Sequence, residues 1–441
     1  MPKRIALVII LLLTVAARAG AAPVEVTWMV GVGPDRPMYQ ELLRRFHAKH
    51  PDIRVRPMWV PGAQYQTKLK TLIAAGKPPD LFWSGDVWVS YEIPFLADLS
   101  DLVKRDAAQL ELDDFYPELL AACRYDGRQM LMPRWFNVGL LYYNRKLFDD
   151  AREPHPTADW TWDDYIAASK RLTKRGPGGK VDVWGSSITT GWWGEWLIYV
   201  RQAGGQLFSD DMDRCLLDTP EAIAGMRFYY DKIYTHQVSP RPGFGPDQGF
   251  MSGKIAMELG GHTGSWIAYN QIAGLDWDIQ ILPKGPKTRS GGEVAIDSFG
   301  VAKDSPHLEQ AWEFVKFLCS AESLRLHVEN GYLPVRKSVA HDMLLRPDRK
   351  SNPKNIMAAY EQLKYAQQVP RSPDYIEIAL EVIQPDVDRM LDKQLDVAAT
   401  CRSAAESANR FIRVVGASRR ERAVADAGAA PIPATPTAAP R

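Results

Sequence analysis

Apolar residues alternate with others over residues 24–30, where Val24, Val26, Trp28 and Val30 share one face, and this predicts a first strand. Gly31-Val32-Gly33-Pro34 ends it in a turn. Over residues 38–48 the period becomes helical, with Tyr39, Leu42, Leu43 and Phe46 on one side and Pro51 as the stop. Ile53 and Val55 begin a second strand, and residues 63–75 a second helix carrying Tyr65, Leu69, Leu72 and Ile73 on one side. Pro79-Asp80-Leu81-Phe82-Trp83 is the third strand. Strand, helix, strand, helix, strand implies a parallel sheet with crossover helices. Later helices are predicted over 159–172 behind Thr161, over 219–233 behind Thr219-Pro220, after Asp304-Ser305-Pro306, and over 358–366, 373–390 and 398–412. Strands are predicted over 181–188, 255–259 and 278–282.

One stretch breaks the pattern. Residues 132–144 read MPRWFNVGLLYYN, beginning with proline and two ring side chains, passing a glycine, then turning apolar. Pro133 cannot donate to a sheet ladder, and Gly139 lets two backbones approach. Two readings fit: a buried strand with an irregular start, or the place where the chain leaves one lobe for another with Trp135 and Phe136 near the cleft. A chain of 441 residues exceeds one ordinary core, which favours two lobes.

Composition narrows the class. Hydrophobic residues are 46% and charged residues 24%, as in a soluble globular protein. The 54 basic and 53 acidic residues leave a net charge of +1, without the clustered basic excess of a nucleic-acid surface. Residues 1–21 carry Lys3 and Arg4, an apolar run and a small-x-small site, and are expected to be a secretory signal peptide. With no cysteine beside that site, no lipid anchor is expected, and the mature chain should be periplasmic. Cys123, Cys215, Cys319 and Cys401 match no zinc spacing; they are expected as buried thiols, or as disulfides confined to one lobe.

The 14 Trp and 17 Tyr supply stacking platforms as well as core volume. Ligands of parallel sheets bind beyond the carboxyl ends of the strands, which here brings forward Asp35 and the segment Trp83-Ser84-Gly85-Asp86-Val87-Trp88. Gly191-Trp192-Trp193-Gly194-Glu195-Trp196 is suited to lining a sugar site, with at least one ring in the core. No Gly-x-Ser-x-Gly elbow, phosphate loop, dinucleotide fingerprint or metal cluster occurs, so no cofactor or metal is expected. A secreted glycoside hydrolase or lyase would need two acids, and Asp86 with Glu195 is the pair available.

Several segments in order now resemble a known family: Pro79-Asp80-Leu81-Phe82-Trp83, the 132–144 stretch running on into Arg145-Lys146-Leu147-Phe148, and Gly253-Lys254-Ile255-Ala256-Met257. Ala311-Trp312-Glu313-Phe314-Val315-Lys316-Phe317-Leu318 and Gly331-Tyr332-Leu333-Pro334-Val335-Arg336 complete the set. The chain resembles the family 1 extracellular solute-binding proteins, the sugar-type receptors of ABC importers, across residues 24–412. The resemblance implies an α/β fold of two lobes, each a mainly parallel sheet flanked by helices and joined by hinge crossings, with a ligand in the cleft. Crossings are expected near 131–138, 282–294 and 334–340. Lobe one would hold residues 22–133 plus 294–336, and lobe two 134–293 plus 337–415, with 416–441 a disordered tail. The implied partners are a carbohydrate and the membrane subunits of an ABC permease, the receptor acting as a monomer. Carried across, the family's ligand-facing positions are Ser84, Asp86, Trp135, Gly261, His262 and Tyr332. Trp192, Trp193 and Glu195 are added from their chemistry, and Asp35, Tyr65, Asp297 and Arg336 complete the candidate set. A polyol or glycerol phosphoester is the alternative ligand, with Arg134 and Arg336 as the available cations.

Overall fold

The computed structural model describes residues 22–428 except 34, 86–88, 244–245, 262–264, 347–350, 369, 371 and 373. The expected opening of the chain is present. Val24–Val32 pairs in parallel with Ile53–Pro61 along its whole length and with Leu81–Gly85 on its other side. Helix Arg36–Lys49 crosses between the first two strands because Met38, Tyr39, Leu42, Leu43 and Phe46 form one buried stripe. Helix Tyr65–Ala74 does the same with Tyr65, Leu69 and Ile73. Each such side chain stabilises the lobe by roughly 1.5–3 kcal/mol through burial.

The rest of this sheet comes from far along the chain. Its order is Leu333–Pro334, Met132–Val138, Glu293–Val301, Leu81–Gly85, Val24–Val32, Ile53–Pro61, with Gln367–Gln368 beside the start of Glu293–Val301. Glu293–Val301 runs antiparallel to both of its long neighbours. The expected two-lobe α/β fold therefore forms around a sheet that is parallel at its start and mixed beyond. The second lobe has a smaller sheet, where Met257–Gly261 and Trp277–Gln280 flank Leu140–Asn144, both antiparallel. Helices Gly194–Gln202 and Pro220–Tyr234 belong to its core.

The first crossing lies later than expected. Residues 134–138 were assigned to lobe two, yet Met132–Val138 is paired on both edges in the large sheet, so the hand-over is at Gly139. The expected third crossing at 334–340 is also displaced. Val339 and Ala340 of helix Lys337–Met343 are buried in the first core, so an amphipathic helix keeps the chain in lobe one. The chain has reached the second lobe by Asn355, which bonds Asp278 and the Ile279 carbonyl, and helix Met357–Gln362 packs on Trp277–Gln280 before Gln367–Gln368 returns to the start of Glu293–Val301.

The first two crossings and strand Gln367–Gln368 meet at Glu293. Its carbonyl accepts from Gly139 N–H at 3.2 Å, and its backbone pairs with Gln367. Its carboxylate accepts from Trp193 Nε1 at 3.1 Å and Tyr375 Oη at 3.0 Å, with Arg201 at 3.5 Å. A Cβ on Gly139 would sit 3.6 Å from Gly292 Cα and 3.8 Å from Gly260 Cα, so small residues gather where the lobes pivot.

The last helix, Val397–Gly428, continues past 416, where a disordered tail was expected, because its alanines and arginines are good helix formers; residues 429–441 lie outside the described set. The four cysteines are free and buried, Cys123 and Cys319 in one core, Cys215 and Cys401 in the other. Burial pushes the Cys123, Cys319 and Cys401 thiols up to about 12 and Cys215 to about 11. A thiol reagent at pH 8 should label none of them in the native protein and all four after unfolding; rapid native labelling would contradict this burial. Glu293→Ala should lower stability by about 3 kcal/mol, since it strands Arg201 and two ring donors. A denaturant midpoint equal to wild type would show that the hinge does not rest on this carboxylate.

Candidate functional site

Regular strands send consecutive side chains to opposite faces. Met132–Val138 departs from this at one point. Trp135 pairs with Asp297 while Pro133 pairs with Ser298, so Arg134 is the extra residue of a β-bulge. Arg134 and Trp135 consequently line the same cavity, together with Asn137. The facing strand alternates normally and presents Ala295, Asp297 and Phe299 to that cavity.

The bulge places a guanidinium among rings. The centre of the Arg134 guanidinium lies 5.4 Å from the Phe299 ring, 5.5 Å from Trp135, 5.7 Å from Trp83 and 6.0 Å from Tyr39. Contacts of this kind contribute on the order of 1 kcal/mol each. Arg134 Nη1 donates to Tyr39 Oη at 2.9 Å, and Nη2 lies 3.8 Å from Asp297 Oδ2. Trp83 Nε1 donates to the other oxygen of Asp297. The Trp135 ring lies 4.8 Å from Tyr332, whose hydroxyl donates to Asp35 Oδ2 at 2.9 Å.

These groups floor a cleft of about 1180 Å³. From the second lobe, Ala268, Asn270 and Gln271 complete the lining, on a helix (Trp266–Gln271) held down by Trp266 donating to Tyr142 Oη. Rings, three carboxylates (Asp35, Asp297 and Glu329) and amides around an open cleft can stack on an apolar ligand face and bond hydroxyls at its edge.

Burial, opposed by the Arg134 charge and the Trp83 donation, pushes the Asp297 carboxyl up to about 6. Burial likewise raises Tyr39 to about 12. His327, behind Tyr39 and Tyr332, is held down to about 4 by burial and then by Arg134, so it is neutral at pH 7. Among the described residues no group of His, Cys, Asp or Glu could hold a metal ion, and no helix is long and apolar enough to cross a membrane.

Of the candidate residues, Asp35, Trp135, Asp297 and Tyr332 come together in this cleft. Asp86 and His262 lie outside the described residues, and Gly261 ends its strand opposite Leu140. The others are corrections. Tyr65 is fully buried, and its hydroxyl accepts from Trp83 N–H and has the Met29 and Trp83 carbonyls, both at 3.2 Å, to share its one proton, which makes it a strut behind the sheet. Ser84 is buried on Glu92. Trp193 is buried on Glu293 at the start of helix Gly194–Gln202, and half-buried Trp192 stacks 3.8 Å from it, neither lining the cleft. Glu195 is buried against Lys232 and accepts from Thr189 N–H at 2.6 Å. It cannot serve as the second acid of a hydrolase. Arg336 is tied to Cys319 O, Leu110 O and Asp114 inside lobe one, away from the cleft. The lining residues outside the candidate set are Arg134, named above only as an available cation, Trp83, named only within its segment, and Tyr39 and Trp28, read as helix and strand faces; an arginine between a proline and a tryptophan inside a strand was the available signal for the first.

A profile of the bacterial extracellular solute-binding protein family matches residues 33–324. The chain belongs to this family. Among solved structures, an ABC substrate-binding protein of Listeria monocytogenes in complex with cycloalternan superposes with a TM-score of 0.75 at 27% identity, covering 88% of this chain and 99% of that one. The maltotriose-binding protein of Pyrococcus abyssi is 25% identical over 350 residues, 76% of this chain and 70% of the relative. The sn-glycerol-3-phosphate-binding periplasmic protein UgpB of Brucella melitensis is 24% identical over 344 residues, 73% of this chain and 77% of the relative. The family is named for binding a solute.

Asp297 supplies a pH test. Its folded value of about 6 stands above the ordinary 3.8, so its burial opposes folding increasingly as pH rises between those values. Asp297→Asn lacks this titration, so the stability of the variant relative to wild type should rise steadily from pH 4 to pH 6; a parallel pair of curves would refute it. Trp135→Ala should weaken ligand binding at least about tenfold while lowering stability by only about 1 kcal/mol, and the reverse pattern would make the ring a core residue.

Proposed function

We propose that this protein is a periplasmic receptor that captures a carbohydrate between its lobes and delivers it, chemically intact, to an ABC permease. The observation that carries the reading is the cleft itself: rings and carboxylates on the first lobe face amide side chains of the second across about 1180 Å³. This is above the roughly 300–1,000 Å³ of ordinary small-molecule pockets and suits an oligosaccharide. Stacking on Trp135, Tyr332 and Trp83 contributes about 1 kcal/mol per ring beyond burial, and each hydrogen bond to a carboxylate about 1.5–3 kcal/mol. A few of each, less the costs of association, give micromolar affinity.

Closure follows from contact with both lobes, since a ligand shifts the hinge only as far as it prefers the closed form. Residues 1–21 support export, and the receptor acts as a monomer. The maltotriose-binding and cycloalternan-bound relatives support a saccharide, while the relative named for sn-glycerol 3-phosphate, with Arg134 in the cleft, supports a phosphoester as the second reading.

The test is thermal shift with neutral mono- to tetrasaccharides, followed by chromatography of the sugar. A ligand at 100 times its Kd should stabilise the protein by about 2.7 kcal/mol and be recovered uncleaved. Shortened sugar, or no shift with any member of the set, would defeat the proposal.

A further inference from the structure

Two classes of solute, neutral saccharides and phosphoesters, remain for the cleft, and its charges discriminate between them. Arg134 is the one cation among the described residues that line it. That cation is not on offer to an incoming anion. It is buried, its Nη1 is taken by Tyr39, its Nη2 faces Asp297, and four rings surround it. Asp297 cannot swing aside to release it, because Trp83 holds the far oxygen and the residue stands on the paired central strand.

Asp35 and Glu329 add carboxylates to the same wall, so the described lining carries three acidic groups against one basic. Asp35 is itself fixed by Tyr332 and by Gly33 N–H at 3.1 Å. An anionic group seated on the rings would be brought toward these fixed carboxylates in a partly dry cleft, where like charges repel strongly. A hydroxyl meets the same oxygens as hydrogen-bond acceptors.

We propose that the Arg134–Asp297 pair, with Asp35 and Glu329, restricts this receptor to uncharged saccharides and turns away phosphoesters and uronates. The inference rests on the receptor reading above and narrows it: selectivity comes from charge placed against the wrong ligand as well as from contacts with the right one. Burial leaves Asp297 ionised above pH 6, so the exclusion operates at neutral pH.

Isothermal titration at pH 7.5 tests this with a panel of neutral mono- to tetrasaccharides including maltotriose, with sn-glycerol 3-phosphate and with trigalacturonate. A neutral saccharide should bind, and both anions should bind at least about 100-fold more weakly. Asp297→Asn, which frees the guanidinium, should raise sn-glycerol 3-phosphate affinity about tenfold or more. Glu329→Gln, on the exposed rim, should raise it by a factor of about two to three and stands as the control if the Asp297 variant does not fold. Wild-type binding of either anion as tightly as the neutral sugar overturns the inference and leaves the receptor reading intact. Failure of every neutral saccharide to bind overturns both.

Discussion

The site depends on one extra residue in one strand. Without the bulge opposite Asp297, Arg134 and Trp135 would point to opposite faces, and either the cation or the ring would be lost to the core behind the sheet. With it, a guanidinium, a carboxylate and four rings occupy one patch of floor. The neighbouring strand is shaped to match. Gly85 has φ 138°, and a Cβ there would fall within 2.0 Å of Ile296 O, so only glycine lets Leu81–Gly85 lie against the central strand where Asp297 must be held. Trp83, two residues earlier, then reaches Asp297 with its indole N–H.

Motion is confined to a different set of residues. Gly139, Gly292 and Gly260 approach one another where the crossings meet, and Glu293 gathers donors from the second lobe onto the first residue of the central strand. A hinge of this form can swing two well-packed halves without disturbing the floor, because Glu293 and Asp297 are separated along the same rigid strand.

Much of this was legible in the residues. Period-two and period-3.6 patterns give the opening strand–helix alternation because local burial alone determines them, and the break at residues 132–144 marks the transit between lobes. The bulge was not legible, since register is set by partners more than 150 residues away. Trp192 and Trp193 misled for a similar reason. Glycines beside tryptophans read as a binding platform, yet the second lobe takes Trp193 into its core and leaves Trp192 half-buried against it. Tyr65, Ser84 and Arg336 carry groups that could meet a ligand, and each is consumed by backbone carbonyls, a carboxylate or both inside the first lobe.

The lining is unequal between the lobes, and that asymmetry orders the events of binding. Among the described residues, rings and charges come from the first lobe, and the second, with the segment beside it, contributes Ala268, Asn270, Gln271 and Ser351. The first lobe's groups are already fixed by Tyr39, Trp83, Tyr332 and the bulge, so a ligand that stacks there orders little further structure. In the proposed receptor, initial capture would fall to the first lobe in the open form. The amides of the second lobe would join on closing and supply the difference in affinity that favours the closed form when ligand is present.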